Sequence, residues 1–347
     1  MKEAILYTRK KDKSVQCYLC RRMCRIKPGE RGYCHVRENR GGVLYSLVYG
    51  KAVAINVDPI EKKPFYHFLP GTDCFSFSTV GCNFRCLYCQ NWEISQAYPG
   101  ITGEDWPPEK IVDYACRNKI PGIAYTYTEP TIFMEYALDT AKLAHKKGIF
   151  NVFVTNGYMS DAAIAEMKGR IDASRIDLKG FSDRIYRDVC GDVELEGVLA
   201  SIKGLYQIGH IELINLIVPG YNDDEDDIRA VCKWTKELDP NIPMHFIAFY
   251  PANKMMDVPP TSLETLLKAR EIALEEGLKF AYSGNIMNEE SESTYCPECK
   301  EVLVRRRGFA VIENRVKGYN QCPECGEKLY FVNDVKEYWK RNGKRDD

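Results

Sequence analysis

Fifteen cysteines have to be accommodated in this chain of 347 residues, and most of them fall into three tight groups. Cys17, Cys20, Cys24 and Cys34 lie near the start, Cys82, Cys86 and Cys89 form a central group, and Cys296, Cys299, Cys322 and Cys325 lie near the end. Disulfide scaffolds are usually short secreted chains, and this chain is long. Cysteines at such spacing in a long chain more often bind metal or do redox work. The fold is therefore expected to carry three metal stations on a larger scaffold. Cys74, Cys116, Cys190 and Cys232 stand apart and read as small buried hydrophobes.

The scaffold is visible between about residues 73 and 285. The segments CFSFSTV, GIAYTYT, IFNVFV, ASRIDLKG, IELINLIVPG and MHFIAFY read as strands, and LKFAYSG is a last apolar piece. Helical segments separate them, among them TIFMEYALDTAKLAHKKG, with Gly148 as its stop, and DDEDDIRAVCKWTKELD, whose leading acids suit a helix N-terminus. About six strands alternating with helices predict βαβ units, a parallel sheet and the α/β class. Six units are fewer than the eight of a closed barrel, and a doubly wound sheet is the competing topology. No GxGxxG follows any of these strands, so a dinucleotide fingerprint is absent.

The flanks read differently. Residues 1–40 are basic and Cys-rich, and VLYSLVYG and KAVAINVDPI read as two strands turning at Gly50. EKKPFYHFLPG reads as a linker. The expected division is 1–72 as an N-terminal metal-binding and β segment, 73–290 as the core, and 291–347 as a metal ribbon with a tail. The closing FVNDVKEYWKRNGKRDD reads as a short helix with frayed residues after it.

Charge narrows the function classes. Lys and Arg number 48 against 49 acids, a net charge of −1, which argues against a nucleic-acid binder with a broad basic face. No run of ~20 apolar residues offers a membrane span, and the first residues lack a signal-peptide pattern. A cytoplasmic protein is expected, with neither membrane nor nucleic acid as partner.

The sharpest motif is GCNFRCLYCQNW, a C-x3-C-x2-C loop at the C-terminal end of the first core strand. In parallel α/β sheets that edge is where ligands bind. Three thiolates can hold three irons of a 4Fe–4S cluster and leave the fourth open. A three-Cys zinc site completed by a distant His is the alternative from spacing alone.

With Tyr88 before the last cysteine, this loop resembles the radical S-adenosylmethionine (SAM) superfamily over roughly residues 73–285. TYTEP, VTNGY, DLKG and IVPGYND follow in the order of the pyruvate formate-lyase activating enzyme-like branch. The wider pattern, from CYLCRRMC…GYCHVREN through LYSLVYGKAVAINVDPIEKKPFYHFLPG, is similar to the AmmeMemoRadiSam system radical SAM enzymes. The resemblance implies a partial (β/α)6 barrel and an oxidoreductase. It implies a 4Fe–4S cluster on Cys82, Cys86 and Cys89, whose open iron chelates the amino and carboxylate groups of SAM. Reductive cleavage of SAM then gives a 5′-deoxyadenosyl radical that abstracts hydrogen from a protein or small-molecule substrate, with ferredoxin or flavodoxin as electron donor.

Site roles carried over from the resemblance are the following. Tyr88 packs near the adenine. Thr128 and Glu129, with Pro130, sit where the family holds the SAM amino group, although Glu129 also suits a helix N-terminus. Thr155 and Asn156 line the SAM site, and Val154 departs from the Asp common there. Asp177 and Lys179 match the DLK motif, with Lys179 suited to the SAM carboxylate. Tyr250 falls where relatives often carry a His, and His245 or Tyr250 is expected to contact SAM or substrate.

CPECK and CPECG give two CxxC knuckles, a tetrahedral site for zinc or for rubredoxin-type iron. The metal is expected to fold a segment too small for its own core. Arg305, Arg306 and Arg307 between the knuckles read as a solvated basic turn. Cys17, Cys20, Cys24 and Cys34 suit either zinc or an auxiliary iron–sulfur cluster. A reading from another class is a multi-zinc scaffold that binds nucleic acid or protein without radical chemistry. Broad absorption near ~400 nm from an iron–sulfur cluster separates it from the enzyme.

Overall fold

A computed structural model describes residues 1–97 and 99–343. The last four residues of the expected frayed tail, 344–347, lie outside the described residues. The dominant element is a nine-stranded mixed sheet. Eight of its strands are β1 (Lys51–Pro59), β2 (Asp73–Ser78), β3 (Gly122–Tyr125), β4 (Phe150–Thr155), β5 (Ala173–Asp177), β6 (His210–Ile217), β7 (Met244–Ala248) and β8 (Ala281–Gly284). From β2 to β8 they are parallel and lie in sequence order. β1 adds antiparallel to β2, and the short strand Glu104–Asp105 pairs with β1. The apolar piece LKFAYSG supplies the seventh parallel strand.

Six helices make the crossovers: α1 (Pro108–Arg117), α2 (Met134–Lys146), α3 (Asp161–Met167), α4 (Leu195–Tyr206), α5 (Glu225–Leu238) and α6 (Leu263–Glu276). Their starts follow capping chemistry. Ser160, Asp224 and Ser262 accept from the backbone N–H of Ala163, Asp227 and Thr265 at 3.1, 2.8 and 3.0 Å. Gly148 takes the left-handed conformation, φ +70, just past α2, as the stop signal predicts. A doubly wound sheet reverses its strand order at a switch point; this order does not reverse. Right-handed crossovers that all step the same way place all six helices on one face. The opposite face is left for other chain segments and for a ligand.

Residues paired across parallel strands point to the same side, so the register shows how that opposite face is filled. Its lower rungs are Cys74, Gly122 and Phe150, then Ala124, Val152 and Ala173, each paired in series. Phe65, Phe68, Leu69, Val332 and Tyr338 pack onto it. The segment EKKPFYHFLPG, expected to be a linker, is thus a buried plug: Phe65, Phe68 and Leu69 are each 0% exposed. Helix α7 (Val335–Asn342) closes this end, with Tyr338 Oη donating to Asp172 at 2.6 Å.

The two strands flanking Gly50 form, but in different sheets. Val43–Ser46 pairs with Arg37–Arg40 and Lys2–Glu3, whereas β1 joins the main sheet. A second small sheet orders Tyr7–Arg9, Val15–Cys17 and Arg25–Ile26. The N-terminal part packs into the main core, where Arg37 donates to Glu135 of α2 at 2.7 and 3.3 Å. At the other end Thr294–Tyr295, just before the first CxxC knuckle, pairs antiparallel with β9 (Val302–Arg307), and β9 with β10 (Ala310–Asn314), these last two lying between the knuckles.

Candidate functional site

The cysteine loop leaves β2 through Gly81, at φ +96. A Cβ there would lie 2.7 Å from Val36 Cγ1 and 2.8 Å from Cys34 O, so only glycine lets the loop press against the N-terminal segment. Two arginines fix the loop backbone. Arg85 Nη1 donates to the carbonyls of Cys82 and Phe84 at 2.7 Å, and Nη2 to Tyr33 O at 2.5 Å. Arg22 Nε donates to Asn83 O at 3.0 Å. Cys82, Cys86 and Cys89 then face one cavity of about 500 Å3 at the C-terminal edge of the sheet. Burial pushes the Cys82 and Cys89 thiols up, so a cation is needed to hold them as thiolates.

The same cavity brings together Tyr88, Thr128, Glu129, Thr155, Asn156, Asp177, Lys179 and Tyr250. Glu129 is the hub of its polar wall. Its Oε1 accepts from Thr131 N at 3.0 Å, Thr131 Oγ1 at 2.5 Å and Thr155 Oγ1 at 2.7 Å. Among the described residues its Oε2 accepts only from Asn156 N, at 2.7 Å, which leaves acceptor capacity there. Glu129 therefore caps the turn Pro130–Phe133 and also lines the cavity. Burial pushes its carboxyl up. Asn156 Nδ2 donates to Asn83 Oδ1 at 2.8 Å, tying the turn after β4 to the cysteine loop. Thr128 Oγ1 donates to Thr79 O at 2.8 Å and braces the ends of β2 and β3.

Lys179 Nζ lies 2.9 Å from Asp177 Oδ2 and 5.6 Å from the centre of the Tyr88 ring. The Tyr88 hydroxyl lies 3.7 Å from the sulfur of Cys190, so this thiol sits against the cluster loop. Tyr250, 42% exposed, stands beyond β7 at the rim, its hydroxyl donating to Asn285 O at 2.9 Å.

His245 is not among the residues brought to the cavity. It lies one register step below Ile247, and its Nε2 is 2.8 Å from Glu212 Oε2. Glu212 also accepts from Tyr66 N at 3.0 Å and His67 N at 2.8 Å, with His210 Nε2 at 3.2 Å. Burial alone would push Glu212 up, but the His210 and His245 contacts hold it well below the carboxylate range. This buried polar band, under a cavity lined by Ile214, Leu216 and Ile247, fully occupies His245.

Three groups at the cavity escaped sequence reasoning. Arg175 lines it from mid-strand, and alternation with Asp177 and Lys179 along β5 is the signal that would have found it. Lys62 and Lys63 from the plug line it too, both bonded to Asp58. Gly308 and Phe309 reach it from the hairpin of the C-terminal sheet and Glu292 from the short helix Glu289–Glu292 before that sheet, and nothing local in the sequence announces that.

The basic triplet is not a solvated turn. Arg306 is 0% exposed and donates to Tyr66 O and Thr294 Oγ1, both at 2.7 Å. The β9–β10 hairpin is thereby latched beside the cavity. The four C-terminal sulfurs all lie within 4.8 Å of one another, with Cys296–Cys325 at 3.6 Å and Cys299–Cys322 at 3.7 Å, close enough to share a metal ion. Among the described residues no other group of three or more Cys, His, Asp or Glu side chains converges this closely. Cys17, Cys20, Cys24 and Cys34 instead surround a small void together with Arg22 and Arg37.

Comparison with known proteins gives the family. The family model described as the radical SAM superfamily matches residues 76–235, from β2 into α5. An uncharacterized protein of Methanocaldococcus jannaschii is 46% identical over 336 residues, which cover 96% of this chain and 100% of that protein. The pyruvate formate-lyase 1-activating enzyme of Escherichia coli is 25% identical over 223 residues, covering 58% of this chain and 89% of that enzyme. A crystal structure of a domain of pyruvate-formate lyase-activating enzyme from Bacteroides vulgatus is 18% identical, with a TM-score of 0.39, over 47% of this chain and 99% of that domain. The chain belongs to the radical SAM superfamily and is an enzyme. No described helix is long and apolar enough to cross a membrane.

Proposed function

We propose that the chain is an activating-enzyme-like radical SAM enzyme whose cluster is held by Cys82, Cys86 and Cys89. The observation that carries this reading is the shared cavity: three thiols, an acceptor-rich carboxylate and a basic pair all line one chamber at the strand ends. The donor set fits a cluster with one open iron, and the chamber has room for a ligand. When bound, the cluster and SAM supply reductive C–S cleavage and a 5′-deoxyadenosyl radical for hydrogen abstraction. The protein's own work is positioning. Glu129 would accept from the SAM amino group through Oε2, Tyr88 and Asn156 would border the cofactor, and the plug below keeps water out of the chamber. Tyr250 at the rim faces substrate, which is a protein segment or a small molecule, and a ferredoxin or flavodoxin delivers the electron. The main sheet is read as a partial (β/α)6 barrel with a seventh strand, in a core spanning 73–290 between segments 1–72 and 291–347.

Two expectations test this reading. In protein reconstituted anaerobically, Glu129→Gln removes a charge-assisted bond worth roughly 1.5–3 kcal/mol. SAM affinity by titration calorimetry should fall about 10- to 150-fold, with unchanged iron content. Parent-like affinity would place Glu129 in a capping role alone.

The C-terminal four-Cys set is read as a site for zinc, or for iron of the rubredoxin type, and the N-terminal set as a second metal site. Cys299→Ser should lower bound metal by one equivalent, measured by mass spectrometry of metals, and leave the ~400 nm cluster absorbance in place. A loss of cluster absorbance together with that metal would assign the C-terminal sulfurs to the cluster instead.

A further inference from the structure

The four N-terminal thiols surround a void that is not part of the chamber. None of Cys17, Cys20, Cys24 and Cys34 forms a disulfide, and Arg22, Arg37 and Asn83 share the lining with them. Spacing separates a single ion from a cluster here. A tetrahedral ion with Zn–S bonds of about 2.3 Å holds its sulfurs roughly 3.8 Å apart. The C-terminal set has that spacing, at 3.6 and 3.7 Å for two pairs. No three of the four N-terminal sulfurs come within 4.8 Å of one another, and neither do those of Cys82, Cys86 and Cys89. An iron–sulfur cluster spreads its thiolates over several irons, so sulfurs set wide around a void suit it better than one ion.

Two buried donors and one cation lack partners at this void. Asn83 Oδ1 is taken by Asn156, and Asn83 Nδ2 has no hydrogen-bond partner among the described residues. Arg37 uses both Nη atoms on Glu135 and Ile5 O, and its Nε is likewise unpartnered. An orphaned buried donor is costly, and the sulfur atoms of a cluster supply acceptors. Arg22 donates only to the carbonyls of Asn83, Asp192 and Gly191, so among the described residues no acid offsets its charge. The void also abuts the central cysteine loop. Asn83 directly follows Cys82, and a Cβ on Gly81, the residue before it, would lie 2.8 Å from Cys34 O. One layer of backbone separates the two cysteine sets.

Resting on the reading of both sets as metal sites, we propose that Cys17, Cys20, Cys24 and Cys34 hold a second iron–sulfur cluster that passes electrons to the SAM cluster. One electron leaves the reduced second cluster, which is oxidised, and enters the SAM cluster, which is reduced. No atom or proton moves, and the ferredoxin or flavodoxin refills the second cluster. The test removes one cysteine set at a time from the full chain, reconstituted anaerobically with iron, sulfide and zinc all present. Acid-labile sulfide is the deciding readout, because a single ion brings none. Cys82→Ala/Cys86→Ala/Cys89→Ala should keep sulfide and absorbance near ~400 nm, and adding Cys20→Ser and Cys24→Ser should remove both. Zinc in place of sulfide in the first of these chains would overturn the cluster. Cys20→Ser/Cys24→Ser alone carries the test if the larger variants do not fold; it should lose part of the sulfide, and a content equal to the parent's would overturn the cluster too. The relay is tested by reducing parent and Cys20→Ser/Cys24→Ser, removing the reductant and adding SAM. With one electron stored per cluster, the parent should yield about two 5′-deoxyadenosines per chain against about one for the variant. Equal yields, with sulfide as expected, would overturn the relay and leave the SAM site standing. No cleavage by the parent would sink the SAM site and the relay with it, while sulfide in the chain without the central cysteines would still report the second cluster.

Discussion

Cys86→Ala is expected to abolish reductive cleavage of SAM and to bleach part of the broad absorbance near ~400 nm, while the protein stays folded. The loop backbone explains why the fold survives. The carbonyl of Cys86 accepts from Cys89 N at 3.2 Å, Gln96 Nε2 at 3.0 Å and Asn253 Nδ2 at 3.3 Å, and none of these uses the thiol. Losing one sulfur atom costs little packing, whereas a cluster held by three thiolates loses a third of its protein ligands. The checks are 5′-deoxyadenosine formation with dithionite, iron content and a circular dichroism melt. Cleavage at the parent rate in this variant would remove the cluster assignment altogether.

Arg306→Met is expected to destabilise the protein by about 3–5 kcal/mol, because it leaves a buried acid without its cation. Glu61 Oε1 lies 3.7 Å from Arg306 Nε, and both side chains are 0% exposed. Burial already pushes the Glu61 carboxyl up to about 6 with the arginine beside it. The guanidinium also lies over the Tyr66 ring, 4.2 Å from its centre, and caps Tyr66 O. Denaturant titration should show a lower midpoint, and Glu61→Gln in the same chain should recover part of the loss, since the uncompensated charge is then gone. A loss under ~1 kcal/mol, the range of an exposed pair, would mean that Glu61 finds another partner.

What the sequence made legible is what local chemistry determines. The C-x3-C-x2-C loop announces itself by spacing and by its place after a strand, the TYTEP, VTNGY and DLKG strand ends by their resemblance to the family, and the structure gathers them at one cavity. Helix stops such as Gly148 are equally local. Long-range placement was not legible. Phe65, Phe68 and Leu69 carry no period that separates a plug from a linker, and only the main sheet gives them something to pack on. His245 and Tyr250 both fit a functional histidine position by sequence. The band around Glu212 claims the first, and the rim keeps the second. Arg306 differs from Arg305 only in strand parity, yet one is fully buried and the other has a side chain 44% exposed. Cys190 is buried as expected of a small hydrophobe, but its neighbour is Tyr88 of the cluster loop, 102 residues away in the chain.

The hairpin tip at Gly308 and Phe309 also fixes a sequence of events during synthesis. A ribosome releases Cys82, Cys86 and Cys89 more than two hundred residues before this tip exists. Through that interval the chamber lacks the wall that Gly308 and Phe309 supply. The four-cysteine group is complete only when Cys322 and Cys325 have emerged, after the hairpin that Arg306 latches beside Tyr66. A nascent chain stalled short of the second knuckle therefore has both hairpin residues but not the sulfurs that complete the four-cysteine group beside them.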